Sequence, residues 1–164
     1  MIMADVFKYL FVILGTLITL VSYWLLFEAC LPAFVERART QYERRPLRML
    51  FLGLAVAAPA VLAGSALAQA GNGAVKLVGV TLLLFLLLLA LLGSTGFARL
   101  VGARLQAQSD EMQPWRRVLR GGAIVAITFV LPLLGWFVVL PAVLVSGLGA
   151  TLSAWKKKSS EVAA

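Results

Sequence analysis

The chain has 164 residues, 62% of them hydrophobic, and a mean hydropathy of +0.96. That is too little polar surface for a soluble globule, so the composition specifies an integral membrane protein. The formal charge of +8 sits at the ends of apolar runs, where headgroups and insertion orientation account for it without nucleic acid, and one cysteine with no histidine excludes an intrachain disulfide, a thiolate cluster and histidine-ligated haem.

A short polar lead with Asp5 and Lys8 precedes the first apolar run, Tyr9 to Phe27, which is long enough to span a bilayer and too long for a cleavable signal peptide. Glu28 lies at its far end. An acid within a span is a functional candidate, although counting from Tyr9 puts Glu28 at the interface, where it could pair with an arginine. The loop from Glu36 to Arg48 mixes Arg37, Arg39, Arg44, Arg45 and Arg48 with Glu36 and Glu43. This pattern predicts a surface helix that stops at Arg45-Pro46, because the residue before a proline leaves the helical region.

The second span covers about Met49 to Ala68. Its small residues Gly53, Ala57, Ala60, Gly64 and Ala68 form a face that lets another helix approach closely. Gly71-Asn72-Gly73 marks a tight turn with only Lys76 beside it. The third span, about Leu77 to Phe97, is nearly all leucine between Leu82 and Leu92. Leucine on every side suits lipid, which predicts a helix at the edge of the bundle. Beyond Gly93-Ser94-Thr95-Gly96 the helix can continue through Arg99 and Arg104 into a second basic loop, solvated at Asp110, Glu111 and Pro114.

Gly121 to Trp155 contains nothing ionisable and is broken at Leu131-Pro132-Leu133-Leu134-Gly135-Trp136. A straight helix through it would run roughly 50 Å against roughly 30 Å of hydrocarbon, so it is not one ordinary span. Pro132 and Gly135 supply the break. The stretch either dips in and returns, or forms an interfacial helix followed by a crossing. The loops after the first and third spans carry five Lys/Arg each and the intervening turn one, which assigns the basic loops to the cytoplasm; a re-entrant stretch would bring Lys156 to Lys158 to the same side and is preferred. In that form Trp136 is expected at a buried tip, and Trp24, Trp115 and Trp155 as interfacial anchors. Ala142, Ser146, Ala150 and Ala154, with Gly147 and Gly149 alongside, form a second small-residue face, the natural partner of the one on the second span. The sequence therefore predicts an all-α polytopic membrane bundle of three full spans plus a broken or re-entrant fourth stretch, one domain over 1–158 with a short polar tail at 159–164.

Several motifs follow one another in a recognisable order: Leu31-Pro32 before a basic helix, Arg45-Pro46-Leu47-Arg48 leading to Gly53-Leu54, Ala98-Arg99-Leu100-Val101-Gly102-Ala103-Arg104-Leu105, the Leu131 to Trp136 break, and Gly147-Leu148-Gly149-Ala150. Over residues 28–155 this resembles the multi-span membrane region of some bacterial bactofilin-like, polymer-forming cytoskeletal proteins. The resemblance implies an inner-membrane module for anchoring or assembly. It brings no catalytic residues, and without a polymer-forming repeat it brings no filament formation.

Reactive chemistry is not evident. Ser22, Ser65, Ser94 and Ser146 have no histidine to activate them, Glu28 has no second acid at comparable depth, and no phosphate-binding loop is present. No cofactor and no metal are expected. The expected partners are a membrane protein or a second copy, together with anionic lipid headgroups at Arg37, Arg39, Arg44, Arg45, Arg116 and Arg117. The alternative is a small channel or transporter component that uses Glu28 and the helix break.

Overall fold

The computed structural model describes residues 2–105, 113–131 and 133–162, with side chains at 6–105, 113–131 and 133–155. Pro132, Asp110 and Glu111 lie outside the described residues, as do the side chains of Lys156 to Lys158. The described chain is helical: α1 Ile2–Cys30, α2 Pro32–Arg44, α3 Pro46–Ala68, α4 Gly73–Arg104, α5 Pro114–Phe129 and, after a π-helical turn at Gly135–Val139, α6 Leu140–Val162.

Proline sets three of these boundaries. Pro32, Pro46 and Pro114 each occupy the first turn of a helix, where the missing N–H costs nothing, and each drives its predecessor out of helical geometry. Leu31, Arg45 and Gln113 accordingly sit at φ −135°, −150° and −136°. The α3–α4 turn is closed by Asn72, whose side chain accepts the Ala74 N–H at 3.0 Å.

Four segments are long and apolar enough to cross a membrane: Val6–Cys30, Pro46–Ala68, Gly73–Arg104 and Gly135–Trp155. The protein is a multi-pass membrane helix bundle. Contacts between elements fix their directions. Trp24 meets Ser94 and Glu28 meets Arg99, so α1 and α4 are parallel. Gly64 faces Leu83 and Gly79, making α3 and α4 antiparallel. Gly53 faces Val145 and Gly149 faces Met49, so α6 runs against α3 and therefore with α4. Gly102 faces Arg117 and Gly121 faces Ala98, so α5 runs back along α4.

The last apolar stretch thus rises as α5 and returns as α6, ending where α1 and α4 end. Its return limb is of full span length, while α5, at 16 residues, extends only about 24 Å. The described ends of both basic loops and the α6 backbone after Trp155 therefore lie at one end of the bundle; thirteen of the fifteen Lys/Arg belong in sequence to these segments, and Lys8 and Lys76 to the other end.

The position expected for the leucine-rich span is corrected. α4 is the centre of the bundle, in contact with every other α-helix. Leu84, Phe85, Leu87 and Leu88 do face outward, but Ala90, Gly93, Ser94, Thr95, Gly96, Ala98 and Gly102 are buried, and these small residues allow five helices to crowd around one. Two tryptophans are corrected as well. Trp24 is 1% exposed, the largest fully buried side chain, and Trp136 lies outward at 60%. Trp24 fills the space opposite Gly122, whereas at the helix break Gly135 packs closely on Thr128 and Phe129.

Candidate functional site: a buried ion-paired layer

Glu28 stands in the last turn of α1, and the parallel alignment with α4 brings Arg99 against it from 71 residues away. Arg99 Nη1 donates to Glu28 Oε1 at 2.7 Å, and Nη2 lies 3.0 Å from Glu36 Oε2 on α2. Arg39 Nη1 donates to Glu36 Oε1 at 3.0 Å, with Nη2 3.7 Å from Glu43 Oε2. The result is an alternating line, Glu28–Arg99–Glu36–Arg39–Glu43, running from a 4% exposed side chain to a 53% exposed one.

Glu28 does not reach water at the interface; it is enclosed by the helices. Glu36, on the same guanidinium, is the second acid that the sequence did not place at that depth. Arg99 balances Glu28, as a buried charge requires, while Glu36 at 40% and Glu43 at 53% exposure carry the line out to solvent. Its hydrogen bonding is incomplete. Glu28 Oε2, Arg39 Nε and Arg99 Nε are buried without partners, and Glu36 Oε2 is near Arg99 without hydrogen-bond geometry, so that contact is Coulombic. The arrangement can tie α1, α2 and α4 together. Both inner carboxylates face guanidinium groups, and neither is aimed at a serine or threonine hydroxyl.

Neutral polar contacts adjoin this layer. Trp24 Nε1 donates to Ser94 Oγ at 2.9 Å and Tyr42 Oη to Ser146 Oγ at 3.1 Å, while Thr151 Oγ1 donates to the Leu89 carbonyl at 2.8 Å. Ser22, Ser65, Ser94 and Ser146 each donate to a carbonyl of their own helix. Tyr42, on α2 and outside the spans, has its pKa pushed far above the usual 10 by burial, against a weaker opposing pull from Ser146. Since folding favours the neutral phenol, its contribution to stability is complete below pH 10 and is lost as pH rises through the folded-state value. Tyr42→Phe should lose about 1 kcal/mol near neutrality and should flatten the alkaline fall in thermal stability relative to wild type. An identical alkaline profile in the two proteins would disprove the assignment.

The remaining candidate residues fall into three groups. Gly53, Ala57, Gly64, Ser146, Gly147, Gly149 and Ala150 are buried between helices of this same chain, with Ala60, Ala68 and Ala142 half-buried. Gly135 is buried against α5. Among the arginines expected to meet headgroups, Arg39 is committed to Glu36, the Arg37 Nε donates to the Ala33 carbonyl at 3.1 Å, and the Arg116 guanidinium stacks 5.5 Å over Trp115. The Arg117 backbone packs on Gly102, while Arg44 and Arg45 are exposed. Sequence reasoning missed Arg99, Trp24 and Tyr42. The one signal for Arg99 was a lone cation inside Phe97-Ala98-Arg99-Leu100-Val101. Among the described residues no group of acids and cysteine could hold a metal ion. Comparison with protein-family models, with curated proteins and with solved structures gives no match to this chain, and so nothing that bears on the bactofilin-like resemblance.

Proposed function

We propose that this protein is a non-enzymatic subunit of a bacterial inner membrane, an anchor or assembly component that holds its basic end in the cytoplasm and takes a membrane-protein partner or a second copy. One observation carries the reading: among the described residues, buried polar side chains join helices to one another, in an ion-paired line and in Trp24–Ser94 and Tyr42–Ser146. The gathering of thirteen of fifteen Lys/Arg at one end supports the orientation, and the resemblance to bactofilin-like membrane regions supports the anchoring role.

The small-residue faces of α3 and α6 are occupied within the chain, so a partner would meet the outward faces instead. The half of α1 from Val6 to Leu14 is the most open of these, with Tyr9 at 67% and Phe11 at 66% exposure. Exposed Arg44 and Arg45 are the best placed to meet anionic headgroups. A channel or transporter component is the second reading, but it would have to join Glu28 to the break at Gly135. Those elements are set about 12 Å apart along α5, from Gly121 beside Ala98 to Phe129 beside Gly135.

Gentle solubilisation of native membranes, followed by crosslinking and mass spectrometry of the purified protein, tests the proposal. A defined partner or dimer is expected. A lone monomer with nothing attached would overturn it, as would ion flux through reconstituted protein that Glu28→Gln abolishes.

A further inference from the structure

A cavity of about 610 Å³ opens between α1 and the α4–α6 side of the bundle, walled by Gly15, Leu20, Leu87, Leu91, Leu140 and Leu144. Its cause is the way α1 is attached. Leu17, Leu20, Val21 and Leu25 pack on the core around Trp24, but the preceding half of α1 stands free, and a Cβ added at Gly15 would meet nothing within 4 Å. The cavity lies at the depth of the spans, so its occupant is apolar.

Volume distinguishes the possible occupants. A helix about 10–12 Å across would fill this space within roughly one turn, so a further span does not fit. At about 30 Å³ for each water-sized group there is room for roughly 20 methylenes, the scale of one fatty-acyl chain. Charge supplies a second argument. Carried along the axis, the α1–α4 offset of 70 to 71 residues puts Lys8 level with about Val78, at the same end of the bundle as Lys76. Both lysines are exposed, Lys8 about one turn beyond the end of the cavity at Phe11 and Lys76 about three turns before its α4 wall begins at Leu87, in a region where the sequence adds only Asp5 as a counter-charge.

We infer that this wedge is a phospholipid site, which takes one acyl chain between α1 and α4 and sets the phosphate near Lys8 and Lys76. The wedge shares Phe11 to Ile13 with the α1 surface proposed for a partner, but a lipid held between α1 and α4 does not require that reading.

The test uses the full chain in phosphatidylcholine vesicles containing a phosphatidylglycerol with a diazirine midway along one acyl chain. After irradiation, adducts should concentrate on Gly15 to Leu20 and Leu87 to Leu91, well above those on Phe51 and Leu62, which face outward on α3 at 66% and 70% exposure. Gly15→Trp fills the wedge and should lower its labelling by about tenfold while leaving the α3 sites unchanged. Thr16→Trp serves the same purpose if the first variant does not fold. Lys8→Gln with Lys76→Gln should weaken wedge labelling alone, and unchanged labelling there would overturn the phosphate placement. Equal labelling of wedge and α3, no response to either tryptophan, or crosslinks to a second copy at these residues would overturn the site.

Discussion

Replacing Gly147 with valine should leave little folded protein in mild detergent. A Cβ at position 147 would overlap the Ala90 carbonyl oxygen and lie 3.0 Å from the Ser94 nitrogen, and from the other side a Cβ at Gly93 would overlap the Gly147 carbonyl. The obstructing atoms are backbone, so no rotamer change relieves the clash and α6 must move off α4. Overfilled cores usually lose about 1–3 kcal/mol, and a contact between two helix backbones belongs at or above the top of that range. Gly53→Val and Gly149→Val should behave alike at the α3–α6 crossing, where each Cβ would meet the opposite helix's carbonyl. Gly71→Ala and Gly73→Ala are the controls: their Cβ positions are open, and they should stay within about 0.5 kcal/mol of wild type. Size-exclusion profiles and thermal midpoints of all five variants check the prediction. A Gly147→Val protein with a normal profile would mean that α4 and α6 do not touch as described.

Arg99→Met should be the most damaging single change in the ion-paired layer. It strands Glu28, whose side chain is 4% exposed, with no other cation within salt-bridge distance among the described residues. Removing one partner of a buried pair typically costs about 3–5 kcal/mol, most of it the penalty of an uncompensated charge. Glu28→Gln should cost less, since the amide oxygen still accepts from Arg99 while Glu36 retains the guanidinium. The two changes together should be milder than their sum, because the double variant has no unpaired charge at the inner end of the line. Thermal unfolding of the four proteins in one detergent gives the coupling directly. Strict additivity would mean that Glu28 and Arg99 do not interact. Arg39→Gln should be far gentler, as its partners Glu36 and Glu43 have 40% and 53% of their side chains in contact with solvent.

The sequence carried the helical architecture well and the central site poorly, for a physical reason. Span lengths, proline-set boundaries and the gathering of positive charge depend on neighbouring residues, and such features can be read along a chain. Which helix lies in the middle depends on what the other helices leave uncovered. The leucines from Leu82 to Leu92 present a uniform surface, and the cue to burial is instead the run of small residues from Ala90 to Gly102, which along the chain reads only as a continuation of the helix. Trp24 resembled a membrane-interface anchor because its apolar context is the same in either position. Only the alignment of α1 with α4 shows Ser94 opposite its indole nitrogen. Glu28 stood out as an acid near a span, but its partner is 71 residues away on another helix, beyond any local pattern.

The π-helical turn at Gly135–Val139 has a consequence for everything after it. Leu140 donates to the Gly135 carbonyl across five residues, so this turn holds one residue more than an ordinary helical turn and sets back the angular phase of α6. Each residue of an α-helix rotates the next by about 100°, so winding these same residues as regular α-helix would swing Gly147 and Gly149 about a quarter of a revolution away from α4 and α3. A lone surplus residue near the start of this span therefore acts as its timing mark, keeping two glycines pointed at two neighbours.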